Sequence, residues 1–260
     1  MKIHHSSLKV PYVLKTGILL CAASFLSAAS RGASITVPNG SFESQVAGPP
    51  FYANINIDSW QKAPKPDYFN ENTFGFLWVQ TAGAFFDTNP YSNRDGSQGA
   101  YMLSFPGVSL RQDYDTTDWR NNPPSHDFNS TFEVGKWYTL TLGVFGKSMV
   151  DGAILELSLY YRDGTNLVTV GATDVFYHAA DFPLTSPMSL HDIQVNVPIV
   201  QASDAWAGKN IGIKIESVYG DGNGYWDMDN VRLTAVPEPA SVSLLGLALG
   251  GLWFARGRRR

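Results

Sequence analysis

Residues 30–235 of the sequence predict an all-β, antiparallel sandwich. Three observations point to it. No stretch there carries a convincing amphipathic helix pattern, several runs alternate apolar and polar residues at period two, and Gly, Pro, Asn and Asp punctuate the gaps. The run from Trp137 to Val144 puts Tyr138, Leu140, Leu142 and Val144 on one face. Ile154 to Tyr161 turns Leu155, Leu157, Leu159 and Tyr161 inward and leaves Glu156 and Ser158 outward. His191 to Val197 buries Ile193, Val195 and Val197, with His191 facing water, and Ile211, Ile213 and Ile215 repeat the pattern around Lys214 and Glu216. Asp151-Gly152 and Asp163-Gly164 are turn signals on either side of the Leu155 run. Asp221-Gly222-Asn223-Gly224 reads as a hairpin turn, because the later bidentate Glu of a calcium loop is missing. Half-buried strands joined by such turns form a sandwich, for which 200-odd residues is an acceptable single domain. No repeat of 20 to 50 residues is present.

Both ends read as processing signals. Lys2, Lys9 and Lys15, a short apolar run from Gly17 to Leu26, and Ser27-Ala28-Ala29 make residues 1–29 a secretory signal for signal peptidase, with cleavage near Ala29. The alternative, a retained anchor, is disfavoured by the shortness of the run. Cys21 is the chain's one cysteine and lies inside this signal. The mature domain therefore has no disulfide, cysteine nucleophile or thiolate metal site, and stands on its core or on a core plus an ion.

Removing the ends changes the charge balance. Of 19 Lys and Arg, three belong to the signal and four to the C-terminus, and of the 23 acids only Glu238 belongs to the C-terminus, leaving 12 against 22, a net of −10 where the whole chain shows −4. Such a field excludes nucleic acid as a partner, since phosphates require Lys and Arg. Seventeen of the acids are Asp, a residue suited to turns and to oxygen-donor ion sites.

The C-terminal residues 236–260 begin Val236-Pro237-Glu238-Pro239, continue through 16 uncharged residues from Ala240 to Ala255, and end with Arg256, Arg258, Arg259 and Arg260 around Gly257. As a helix, residues 240–255 would span about 24 Å. Trp253 and the arginines would extend its reach through the membrane, arginines inside and the Pro-Glu-Pro segment extended and exposed outside. These features resemble the PEP-CTERM sorting signal of Gram-negative bacteria. The resemblance implies recognition by an exosortase, a membrane-anchored precursor, and delivery to the cell surface or extracellular matrix.

A second resemblance runs through the domain. Val37-Pro38-Asn39-Gly40-Ser41-Phe42-Glu43-Ser44 resembles the first strand of galactose-binding-like jelly rolls, among them many carbohydrate-binding modules. Ser59-Trp60, Gln98 to Leu103, Val108 to Gln112, Val134 to Leu140 and Gly224 to Leu233 are similar to successive later elements of that family. The resemblance implies a jelly roll whose first and last strands meet at a structural calcium (Ca2+). The matching acids are Glu43 and Asp229, with Asp227, on the same strand face as Asp229, as a further candidate ligand.

The stretches 60–99 and 114–131 do not alternate, and long irregular segments on a sheet scaffold are where binding concentrates. Trp78, Tyr91, Tyr114 and Trp119 lie in them and are the candidate sugar-stacking aromatics, each also a candidate for ordinary packing. No catalytic constellation emerges: none of His126, His178 and His191 accompanies a G-x-S-x-G elbow, and no H-E-x-x-H or phosphate-binding glycine loop is present. The sequence therefore reads as a non-catalytic exported protein. PEP-CTERM systems accompany exopolysaccharide production, so the resemblance implies extracellular polysaccharide as its ligand. A purely structural matrix or adhesion protein, and a polysaccharide hydrolase, are the alternatives.

Overall fold

A computed structural model gives the structure of the chain and describes residues 32–238 apart from 45, 49–51, 87–90, 118–126 and 186. The signal at 1–29, Trp119, Pro239, the apolar stretch 240–255 and the four C-terminal arginines lie outside the described residues. Among the described residues no helix is long and apolar enough to cross a membrane. Residues 32–237 form one compact unit.

The strands are β1 (Ala33–Ile35), β2 (Ala53–Asn54), β3 (Gln61–Lys62), β4 (Ala82–Phe86), β5 (Gln98–Leu103), β6 (Ser109–Gln112), β7 (Lys136–Lys147), β8 (Ile154–Asp163), β9 (Asn166–Phe176), β10 (His191–Val197), β11 (Gly212–Tyr219) and β12 (Tyr225–Pro237). A single-turn helix, α1 (Glu71–Phe74), lies between β3 and β4. One sheet runs β10-β7-β12-β5-β4-β2, with β1 also paired to β12; the other runs β3-β6-β11-β8-β9. Every pairing is antiparallel. The architecture is the jelly-roll β-sandwich that the resemblance implies.

Period-two alternation builds the core. Leu140, Leu142 and Val144 of β7 are fully buried, as are Leu155, Leu157 and Leu159 of β8 and Ile213 and Ile215 of β11. Each such side chain contributes roughly 1.5–3 kcal/mol by leaving water. Trp60 closes one end of this core, its ring centroid 5.5 Å from that of Phe42 and its indole N–H donating to the Asn39 carbonyl. Between β8 and β9, Asp163 faces Asn166 across a two-residue turn with Gly164 at φ 62°. That is the positive φ which a primed hairpin turn needs at its first position. β9 escaped the sequence reading because both its faces are half exposed and no apolar stripe marks it.

Two expectations need correction. Residues 37–44 form turns, with Asn39 and Phe42 at positive φ, and the first strand is β1, a few residues earlier. Glu43 therefore stands in a loop. The Asp221–Gly224 turn makes no hairpin, because β11 and β12 belong to different sheets. It carries the chain across the sandwich, with the Asp221 carboxylate accepting from the Asn223 backbone N–H.

Candidate functional site

The three acids singled out in the sequence act on one loop. β12 pairs with β5 as far as Met228 and with β1 from Leu233. Between these partners its register against β7 slips, and Asn230 takes φ 61°. A bulge of this kind re-aims the side chains beside it. Asp229 lies at its start, with Oδ1 accepting from the Asn230 N–H at 2.6 Å and Oδ2 from the Asp95 N–H at 2.7 Å. Glu43 Oε1 accepts from the backbone N–H groups of Ser97 (2.7 Å) and Gln98 (2.6 Å), and Oε2 from the Ser97 hydroxyl. The carboxylate lies over Gly96, where φ is 89° and an added Cβ would fall 2.4 Å from Oε1. One residue type fits there, for both reasons.

Asp227 anchors the front of the same loop: Oδ2 accepts from the Tyr91 hydroxyl and pairs with Lys147 Nζ at 2.8 Å. Tyr91, Asp95 and Ser97-Gln98 are thus fastened in order by Asp227, Asp229 and Glu43. Burial pushes the Asp229 carboxyl up to about 7, the two N–H donors and the Arg94 charge pulling it back and the Asp95 charge adding to the rise. Among the described residues no group of three or more His, Cys, Asp and Glu side chains is gathered to hold a metal ion.

Beside this loop the outward face of the larger sheet forms a cleft of about 340 Å³, lined by Phe85, Phe86, Tyr101, Tyr225, Lys147 and Asp227, with Ala53 and Leu103 at its margin. Two ring positions follow from missing side chains on the neighbouring strands. Gly83 faces Tyr101 across the β4–β5 ladder, and a Cβ there would come 2.6 Å from the tyrosine ring; Gly99 faces Phe85 in the same way, at 3.0 Å. Each ring therefore lies over bare backbone. The Lys147 ammonium is boxed by the rings of Tyr91 (5.2 Å), Tyr225 (5.6 Å) and Phe145 (6.0 Å), besides its carboxylate partner. The cleft thus joins flat apolar faces to one fixed ion pair.

Of the four aromatics chosen from the irregular stretches, Trp119 lies outside the described residues and the other three are not brought together. Trp78 is buried edge-on against Phe69, and its indole N–H donates to the Ala63 carbonyl. Tyr91 is buried beneath the cleft, holding Asp227. Tyr114 is exposed beside a separate cavity of about 110 Å³, where Asp113 takes hydrogen bonds from Tyr160 and Arg162. Phe85, Phe86, Tyr101 and Tyr225 are not among the sequence candidates: Tyr101 and Tyr225 lie in segments read as core strands, and Phe85 and Phe86 lie in the stretch 60–99, part of which is strand β4 and not irregular. The signal that could have found them is an aromatic residue on the polar phase of a strand, next to glycines on its neighbours.

At the C-terminal end, Val236 and Pro237 are the last residues of β12, opposite Trp137 and Lys136 of β7. The strand thus outruns the expected boundary at 235, while Pro237 and Glu238 are exposed.

Residues 235–260 match the family model for the PEP-CTERM protein-sorting motif. Comparison with curated protein sequences finds no match. Among solved structures, an apo-form cyclase from Fischerella sp. is similar over 81% of this chain and 99% of its own, at 19% identity and a TM-score of 0.55. A Stig cyclase from Fischerella sp. TAU, solved with an indole-containing compound, covers 80% and 100% at 20% identity and a TM-score of 0.53. The CBM22-1 xylan-binding domain of Paenibacillus barcinonensis Xyn10C covers 81% and 99% at 12% identity and a TM-score of 0.43. At such identities the likeness is one of fold. The chain therefore carries a PEP-CTERM protein-sorting motif behind a jelly-roll domain of the architecture seen in these cyclases.

Proposed function

We propose that this is an exported surface or extracellular-matrix protein that binds extracellular polysaccharide in the cleft over β4, β5, β7 and β12, without catalysis, and is sorted by an exosortase through residues 236–260 after signal peptidase has removed the N-terminus. The observation that carries the binding reading is the pair of rings held over glycines, Tyr101 over Gly83 and Phe85 over Gly99, beside a fixed ion pair. Flat apolar faces suit the C–H face of a sugar ring, and the charged rim suits its hydroxyls. The xylan-binding domain is named for a ligand of this class.

Affinity electrophoresis of the full chain against a panel of bacterial and plant polysaccharides tests the reading. Retardation by at least one polymer, lost in Tyr101→Ala and in Tyr225→Ala, is the expected result. Migration unaffected by every polymer would leave the structural matrix role as the better account.

The neighbouring cyclases keep a catalytic reading in play, and as a polysaccharide hydrolase the chain would need an acid in the cleft. Asp227 is the acid that lines it, but its Oδ2 already takes Lys147 and the Tyr91 hydroxyl, an arrangement that holds a loop in place. Release of reducing ends from a bound polymer, abolished by Asp227→Asn, would reverse this preference. A structural calcium at Glu43 and Asp229 belongs to the same proposal. Two carboxylates meeting one loop, one of them desolvated, support it. The remaining oxygens would come from backbone carbonyls, which calcium accepts readily, since no third acid side chain joins them among the described residues.

A further inference from the structure

A second cavity, of about 610 Å³, opens at the β3–β6 edge of the smaller sheet, and its lining differs in kind from the aromatic cleft. Gln61, Lys62 and Arg111 come from β3 and β6, Lys65 and Glu71 from the segment that follows β3, and Asn56 from the turn after β2. Ile55, Pro64 and Val79 supply apolar wall. In a domain whose net charge is strongly negative, this cavity gathers three cations against one acid.

The cations are differently engaged. Lys62 Nζ donates to the carbonyls of Ile55, Val79 and Ala82, which fixes its charge in the wall, although burial pushes it down to about 7. Lys65 makes a loose 3.5 Å pair with Glu71 at the exposed rim, and Glu71 also accepts from the Trp78 N–H. Arg111 has no such partner: its Nε is buried without a hydrogen bond among the described residues. Across the ladders it faces Gln61 of β3 and Lys214 of β11, and Lys214 is itself spent on Glu156 and Glu216. A desolvated guanidinium N–H with no acceptor is expensive, and a planar carboxylate is the group whose two oxygens match its fork.

The geometry points to this cavity as a subsite for an acidic saccharide, the carboxylate of a uronate-type residue meeting Arg111 with Lys62 and Lys65 nearby. The amides of Gln61 and Asn56 suit sugar hydroxyls, and the walls of Ile55, Pro64 and Val79 suit a ring face. This mixture favours a sugar acid over a bare inorganic anion. The inference deepens the polysaccharide reading. It is spatially separable from the cleft, although the segment 53–56 lines both: Ala53 on the cleft side, Ile55 and Asn56 on this one.

Calorimetric titration of the full chain, in mild detergent at low salt, with trigalacturonate, its methyl ester and inorganic phosphate tests the assignment. Trigalacturonate should bind about tenfold or more tightly than the ester, with Arg111→Gln weakening it by about tenfold or more. Lys65→Gln, an exposed substitution that spares the fold, should weaken it a few-fold, and added salt should do the same. Equal affinity for acid and ester, an Arg111→Gln variant that melts and binds as the parent does, or Lys65→Gln and salt both without effect would overturn the subsite. Phosphate binding as tightly as trigalacturonate would overturn the saccharide assignment. Tyr101→Ala separates the two readings, since it should remove binding at the cleft and leave the acid-dependent component intact.

Discussion

The Asp229 carboxylate, on the last strand, accepts the backbone N–H of Asp95 at 2.7 Å, although 134 residues of chain separate them. The bond fastens the loop that enters β5 onto the strand that closes the sandwich. Its acceptor is almost wholly buried, so the charge it carries is held at a cost. In calcium-free buffer the Asp229 carboxyl stands at about 7, above its ordinary 3.8. The native state then holds this proton more tightly than the unfolded chain. Its contribution is complete below the lower value and falls as pH rises to the higher, by at most about 1.4 kcal/mol per pH unit. Denaturant unfolding between pH 4.5 and 7 should show this decline, and Asp229→Asn should flatten it. An unchanged slope in that variant would place the titration elsewhere.

Glu43→Ala removes the acceptor of three donors in Ser97 and Gln98. Because the loop can rehydrate, the expected loss is about 1 kcal/mol. Faster amide exchange should be confined to residues 95–98. If Glu43 and Asp229 also share a calcium, chelator lowers the Tm of the parent and leaves Glu43→Ala unmoved. A parent Tm indifferent to both calcium and chelator would remove the ion and keep the clamp.

Lys147→Met leaves the Asp227 carboxylate buried with the Tyr91 hydroxyl but without its cation. Breaking such a pair from one side destabilises by about 3–5 kcal/mol, whereas replacing both charges restores most of the loss. Chemical denaturation of Lys147→Met and of Lys147→Met with Asp227→Asn distinguishes the two. Equal instability in both variants would mean that the rings around the ammonium, and not the ion pair, carry the effect.

Gly83→Ala tests the floor of the cleft. The new methyl group would meet the Tyr101 ring at 2.6 Å and the Asn54 carbonyl at 2.5 Å. Overpacking of this kind costs about 1–3 kcal/mol and forces the ring to move. Polysaccharide retardation should therefore fall together with the Tm, while Gly48→Ala, at a position with open space around it, should change neither.

In the native host, Glu238→Ala should accumulate as a full-length, membrane-retained precursor, detected by immunoblot of membrane and medium fractions. Normal processing of that variant would refute the exosortase reading of the tail.

The all-β class was legible because Leu140, Leu155, Ile213 and their neighbours repeat every second residue, a period set by the strand backbone itself. The PEP-CTERM tail was legible because it is a contiguous string, complete without any tertiary contact. Even the loop-anchoring acids could be picked out, as Glu43, Asp227 and Asp229. What each of them holds could not, because Tyr91, Asp95 and Ser97 reach them only when β5 and β12 lie side by side. The same holds for the cleft and the cationic cavity. Tyr101 needs Gly83 of another strand to lie flat, and Arg111 Nε is left without an acceptor because the residues facing it across the ladders are Gln61 and Lys214 and neither is an acid. Periodicity and contiguous motifs are properties of the chain. Which groups are satisfied and which are left open is settled by cross-strand register, and that exists only in the folded sandwich.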